Sequence, residues 1–342
     1  MKRRAHLVGS IGLKDRDEVF TTISEILGEC CPRIPDGETG DRGYWIRWQR
    51  RTFATHASFA AILTTRSLPG YKDNVERTFF ALKNGIDPDT VDLGELGYAN
   101  EAIESYKSFS HLIAEGTIPD SIRFQVAIPT PMALLCGFIV PEERSTLEPA
   151  VERAIDRELE KLQKSIPGKS LSIQWDVCHE VVGAAGGLAL PYDRPIEGAV
   201  ARIARLCGRV DAGVELGVHL CYGDPGHKHI VEPADLEISV AFANGICRSS
   251  PRPVDFVHMP VPRDRTDDAY YAPLKKLALH SPTRLILGLV HYTDGVAGSR
   301  KRIAAAERHV KDFDIATECG FGRRDPSTIV ELLRIHRELC AP

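Results

Sequence analysis

At 342 residues the chain is long for one ordinary domain and normal for an α/β barrel with insertions. Its 43% hydrophobic and 26% charged residues fit a globular protein with a large core, and a net charge of −4 without a basic stripe excludes the usual nucleic-acid footprint. No run approaches ~18 apolar residues, so no membrane span is expected. The opening MKRRAHLVGSIGL carries too short an apolar run for a signal peptide. Nine scattered cysteines, an odd number, suit free thiols in a reducing cytoplasm better than a disulfide framework.

In chain order, short apolar runs alternate with longer amphipathic segments. Strands are predicted at 5–9, 31–36, 91–94, 122–127, 171–176, 213–221, 254–258, 284–289 and 313–318. The clearest helices are predicted at 15–28, 142–165, 193–208, 298–311 and 326–339. Strands alternating with helices indicate βα units and a parallel sheet. Nine strands are one more than an eightfold barrel needs, and the proline-containing 31–36 run is the weakest. The expected architecture is a single domain over residues 1–342, a (β/α)8 TIM barrel with an N-terminal extension; a doubly wound open sheet is the alternative.

The chemically unusual residues fall at strand ends. Gly9 and Ser10 follow the first strand, and Asp36, Gly37 and Glu38 the second. Asp176 ends IQWD, His219 and Cys221 end GVHLC, His258 ends VDFVH, His291 lies just past RLILGLV, and Cys319 follows FDIATE. In a parallel barrel these ends share the face that carries the active site. His219 and Cys221, at i and i+2 on a strand, point to one side together. With Cys319 they form an N, S, S donor set that suits Zn²⁺. The rival reading of each piece is bland: a buried cysteine is usually core, and a strand-end histidine is usually hydrogen-bonded structure. Trp45, with Tyr44, Trp48 and Trp175, offers a stacking surface, although aromatic residues more often simply pack.

The order VGS, DGE, an arginine, IQWD, HLC and CGFGRR resembles the catalytic C-terminal barrel of cobalamin-independent methionine synthases, from Gly9 to Arg323. That resemblance implies a zinc enzyme that activates a thiol as its zinc thiolate for methyl or alkyl transfer. It implies His219, Cys221 and Cys319 as zinc ligands. The family's zinc glutamate has no counterpart in VDFVHMP, and His258 is the nearest substitute. It further implies Glu38, Asp176 and His291 as catalytic residues, and Ser10, Glu38, Arg42, Trp45 and Asp176 around the substrate. Glu38 and Asp176 match positions that hold the amino group of an amino-acid substrate. Val177 stands where the family has a second acid after Asp176. The expected partners are a small-molecule thiol or an amino-acid-like substrate, with a folate or a corrinoid protein as methyl donor, and neither nucleic acid nor membrane. The alternatives are a zinc lyase or hydrolase, a metal-free decarboxylase that uses Asp36, Arg42, Arg47 and Arg323 to hold an acidic substrate, and a barrel that only binds.

Overall fold

The computed structural model describes residues 3–66, 75–226 and 228–341. Its strands are β1 (Ala5–His6), β2 (Arg33–Pro35), β3 (Phe59–Arg66), β4 (Val75–Leu82), β5 (Arg123–Pro129), β6 (Leu171–Val177), β7 (Glu215–Leu220), β8 (Phe256–Pro260), β9 (Arg284–Gly288) and β10 (Asp314–Ala316). The helices are α1 (Arg16–Leu27), α2 (Arg50–Thr55), α3 (Tyr98–Ala114), α4 (Pro131–Phe138), α5 (Arg144–Ser165), α6 (His179–Ala184), α7 (Pro195–Gly208), α8 (Glu237–Ser249), α9 (Asp268–Tyr271), α10 (Gly295–Ala306) and α11 (Ile329–Cys340). Eight strands form one all-parallel sheet in the order β1-β10-β9-β8-β7-β6-β5-β2, with β1 and β2 at its two ends. This is a (β/α)8 barrel, closed except for the ladder between its first two strands.

Two expectations are corrected by the fold. The weakest predicted strand, 31–36, does contain β2, whereas 91–94 is not a strand. Val91 and Leu93 are buried, but Val91 closes a 3-10 turn at Pro88–Thr90. Arg153 donates to the Val91 carbonyl and Arg157 to that of Gly94, so the segment lies along α5. The second concerns the extension: among the described residues the additional segment lies between β2 and β5. It comprises a 3-10 stretch at Gly40–Gln49, α2 and the antiparallel hairpin β3–β4.

Alternation along the strands sorts two environments. On β6, Ile173 and Trp175 alternate with Ser172, Gln174 and Asp176, and all of them are buried. The polar set faces the barrel interior, where Phe256, Ile286 and Ala316 form a small apolar cluster. A Cβ at Gly217 would come within 1.9 Å of the Phe256 ring, so only glycine at 217 leaves room for it. The helices seal the outer side. Helix α5 turns Leu147, Ala150, Val151, Ala154, Ile155, Leu159 and Leu162 inward. Its buried Glu158 accepts from the backbone N–H groups of Leu96 (2.6 Å), Gly97 (3.0 Å) and Ala99 (2.6 Å). Those amides lead into α3 and its first turn, where helical donors lack partners, so one buried carboxylate caps a neighbouring helix.

Candidate metal centre

Parallel register brings the strand-end residues into one row. Asp176 on β6 pairs with His219 on β7, and His219 pairs with His258 on β8. Asp176 and His219 sit at the carboxyl ends of their strands and His258 in the middle of β8, and all three face inward. Cys221 lies just past β7, where its N–H donates to the Val177 carbonyl at 3.0 Å. Cys319 arrives from the loop after β10. The ligand atoms of His219, Cys221 and Cys319 all lie within 4.8 Å of one another.

The loop carrying Cys319 is locked against the first strand end. Phe321 N–H donates to the Ser10 carbonyl at 2.5 Å, and Gly322 N–H to Ser10 Oγ at 3.3 Å. A Cβ at Gly320 would fall 2.8 Å from Ser10 Oγ, and one at Gly322 would fall 2.6 Å from Ser10 Cβ. Both glycines of the CGFG run therefore permit this approach. Ser10 positions the thiol loop.

The histidines define a directional chain. His258 Nε2 lies 3.0 Å from the Thr317 carbonyl, which can only accept, so Nε2 carries the proton. Burial holds His258 neutral, lowering its pKa to about 3. Its Nδ1 is then a lone pair, and it lies 2.7 Å from His219 Nδ1. His219 must donate there, which leaves its Nε2 as a lone pair. Burial and then the neighbouring His258 also push the His219 pKa well below the ordinary value. That Nε2 is buried and has no hydrogen-bond partner. A buried, unpartnered imidazole nitrogen beside two thiols is the feature a metal ion would satisfy. Both nitrogens of His258 are taken up by His219 and Thr317.

The sulfurs are also attended. Gly223 N–H approaches Cys221 Sγ at 3.3 Å. Arg323 Nη2 lies 3.8 Å from Cys319 Sγ and 3.1 Å from Asp224 Oδ2. Without a cation both thiols are held protonated. Contact with Cys178 is the first cause for Cys221, and contact with Cys221 the first for Cys319.

Two carboxyl groups stand at the mouth. Gln174 Nε2 donates to Asp176 Oδ1 at 2.9 Å, and Trp45 Nε1 to Oδ2 at 3.1 Å. Burial first, and then Cys319, raises the Asp176 pKa to about 8. Glu38 is also pushed up to about 8, by burial and then by Asp176, against the pull of Arg42. The Glu38 carboxyl has no hydrogen-bond partner among the described residues. Its Oε1 would lie 3.3 Å from a Cβ at position 9, which ties Gly9 to this site. Glu38 and Trp45 are the non-glycine residues with positive φ among the described residues, at 45° and 56°. Backbone strain thus falls on two residues at the mouth. Trp45 also stacks on His179, with centroids 5.5 Å apart and planes 15° apart.

Other expected residues have partners of their own. Arg42 is engaged bidentately by Asp36, at 2.5 and 3.3 Å. His291 donates from Nε2 to the Val261 carbonyl at 3.0 Å, and its Nδ1 is 3.5 Å from Glu318 Oε2. Burial lowers its pKa. Sequence reasoning passed over His229, whose Nδ1 is 3.2 Å from Glu232 and whose Nε2 is 3.1 Å from Glu318. Burial opposes its charge, but the two carboxylates prevail and raise its pKa to about 10. It also passed over Cys178, which packs with Cys221 and Val182 against Trp45 and Cys319. The signal was present: Cys178 follows Asp176 at the same i+2 spacing by which Cys221 follows His219.

These features define a (β/α)8 barrel with an imidazole, two thiols and two carboxyl groups gathered at the carboxyl ends of its strands. Solved structures share the fold. A B12-independent methionine synthase from a Shewanella species, solved with selenomethionine, superposes with a TM-score of 0.58 at 12% identity, over 99% of this chain and 97% of that one. A Listeria monocytogenes protein put forward as a vitamin B12-independent methionine synthase gives 0.57 at 14% identity, over 98% and 95%. A methyltransferase from Methanosarcina mazei gives 0.52 at 10% identity, over 98% and 94%. No protein-family model matches the sequence, and no curated protein matches it. No described helix is long and apolar enough to cross a membrane.

Proposed function

We propose that this protein is a zinc enzyme that activates a small-molecule thiol for methyl or alkyl transfer. The observation that carries the reading is the buried, unpartnered Nε2 of His219 beside the thiols of Cys221 and Cys319. Imidazole and two thiolates are a donor set zinc favours, and three protein ligands leave a position for substrate. The ion would supply a field that keeps a bound thiol deprotonated and nucleophilic at neutral pH.

The chain's own residues do the rest. His258 fixes the tautomer and the plane of His219, as the outer partners of metal-binding histidines do. Arg323 and the Gly223 N–H face the sulfurs and temper their charge. Glu38, whose carboxyl is free of partners, is the anchor for a substrate ammonium, with Asp176 beside it. Each carboxyl is held protonated until a cation arrives, so ammonium binding releases a proton from this pair. Trp45 and its stack on His179 cover the sulfurs from the side and exclude water. The selenomethionine in the Shewanella structure supports an amino-acid-like substrate. The methyl donor is of the folate or corrinoid-protein kind that the sequence resemblance implies. A cytoplasmic, single-domain enzyme fits the free thiols.

The test is metal content followed by detection of the substrate on the metal. Purified protein should carry about one zinc per chain, and Cys221→Ser should lose it. Adding a selenol analogue of the substrate thiol should place a selenium neighbour on the zinc, which X-ray absorption detects whether or not the number of sulfurs changes. Zinc that takes up no selenium would favour metal-bound water and a lyase or hydrolase reaction. No zinc in the wild-type protein would defeat both and leave a metal-free decarboxylase.

A further inference from the structure

We propose that Cys178 is a third sulfur ligand of this centre, bound in the resting enzyme and released when a substrate thiol enters. The inference rests on the zinc reading above.

The first argument is register. Asp176 pairs with His219 and Val177 with Leu220, and the Cys221 N–H bonds the Val177 carbonyl. One further step sets Cys178 opposite Cys221 where the two parallel strands end. Neighbouring strands lie about 4.8 Å apart, so the two thiols meet across that gap. They share a buried cluster with Cys319 packed against it.

The second argument is elimination among the donors around the three ligands. His258 has both nitrogens engaged, by His219 and Thr317. Asp176 holds Gln174 and Trp45. Glu318 is turned to His229 and His291. Asp224 holds Arg323. Among the described residues Cys178 has no polar partner other than the thiol of Cys221, itself a proposed ligand, and Glu38, the carboxyl likewise without a partner, is already assigned to the substrate ammonium. The remaining six cysteines lie elsewhere in the fold.

The third argument is coordination chemistry. Zinc favours four donors, and three thiolates with one imidazole are a common tetrahedral set. Cys178 stands outside the 4.8 Å group, on the side of Cys221. Cys178 is the N-cap residue of α6, just past the end of β6, and ligation requires its sulfur to move from beside Cys221 into the group. Exchange then balances simply. The bond from zinc to Cys178 sulfur breaks, the bond to substrate sulfur forms, and the proton of the incoming thiol passes to Cys178. The number of sulfurs on the metal is the same before and after.

The experiment is zinc X-ray absorption on the full-length, zinc-loaded protein, reduced with a phosphine so that no foreign thiol is present. The wild type should show about three sulfurs and one nitrogen, and Cys178→Ser about two sulfurs, a loss of one in three. Adding substrate thiol should leave the wild-type count unchanged and restore the variant to about three. A wild-type count of two, or equal counts in the two proteins, overturns this proposal while the zinc reading stands. A wild type without zinc overturns both. If Cys178→Ser fails to fold, the wild-type count before thiol addition decides the matter alone.

Discussion

Replacing His258 with alanine separates an orienting role from direct ligation. The side chain is fully buried; it accepts from His219 Nδ1 at 2.7 Å and donates to the Thr317 carbonyl at 3.0 Å. Its removal strands one buried donor and one buried acceptor, each costing about 1–3 kcal/mol when left unsatisfied. It also frees the His219 ring to change tautomer, so that a proton competes for Nε2. Loss of such an outer partner typically weakens metal binding 10- to 100-fold, or about 1.4–2.8 kcal/mol. A competitive titration against a chromophoric chelator measures this, and X-ray absorption on the same sample counts the nitrogens. The expected result is that weakening with the nitrogen count preserved. His258→Gln, which can both accept and donate, should recover part of the affinity. Unchanged zinc affinity in a folded His258→Ala protein would refute the orienting chain, and loss of a nitrogen neighbour would make His258 a ligand itself.

Cys319→Ser should abolish stoichiometric zinc at neutral pH as Cys221→Ser does, because each removes one of the two thiolates in the three-atom group; elemental analysis checks this. Zinc affinity should rise steeply with pH, because the thiols of Cys221 and Cys319 are held protonated and must lose their protons to bind, whereas His219 is already neutral; chelator competition from pH 6 to 8 measures the slope. Glu38→Gln should raise KM for an ammonium-bearing substrate while leaving zinc content unchanged, as steady-state kinetics on metal-assayed protein would show. The same variant carries a pH signature. The Glu38 pKa in the fold is about 8, above its ordinary 4.5, so its contribution to stability is fully present below the lower value and is lost as pH rises through the upper. Metal-free wild type should therefore lose melting temperature relative to Glu38→Gln between about pH 4.5 and 8, and a constant difference would refute the assignment.

Much of the barrel is written in the local pattern. The runs at 213–221 and 284–289 became β7 and β9, because buried parallel strands need largely apolar sequence between turns, and 171–176 became β6 through its strict alternation of apolar and polar residues. The segment 91–94 carried the same local signal, but Val91 and Leu93 are buried beneath helices rather than in the sheet, and periodicity cannot distinguish the two. The antiparallel strands Phe59–Arg66 and Val75–Leu82 were missed because such pairing depends on a partner strand, not on one run alone. In the candidate centre, residue types at strand ends pointed to His219, Cys221 and Cys319. The role of His258 was not legible, since it depends on which carbonyl lies behind its ring. That carbonyl belongs to Thr317, 59 residues away in the chain.

The proton positions bind the fold to the proposed chemistry more tightly than the ligand types do. The Thr317 carbonyl is a β10 neighbour of Cys319, and it fixes His258, which fixes His219. Displacing the end of β10 would therefore disturb a thiol ligand and the imidazole tautomer together. A histidine, a cysteine pair and a dication sum to no net charge, so an added thiolate, whether from Cys178 or from substrate, leaves one negative charge at the mouth. Arg323 lies against Cys319 to meet that charge, and Asp224 holds the guanidinium in place. Glu38 and Asp176, held protonated, add none until a cationic substrate binds. Binding of that substrate would then ionise one carboxyl of the pair and supply one cation in the same step, so no net charge is added beside the sulfurs. The arrangement favours a substrate that brings an ammonium and a thiol into the mouth together over one that brings either alone.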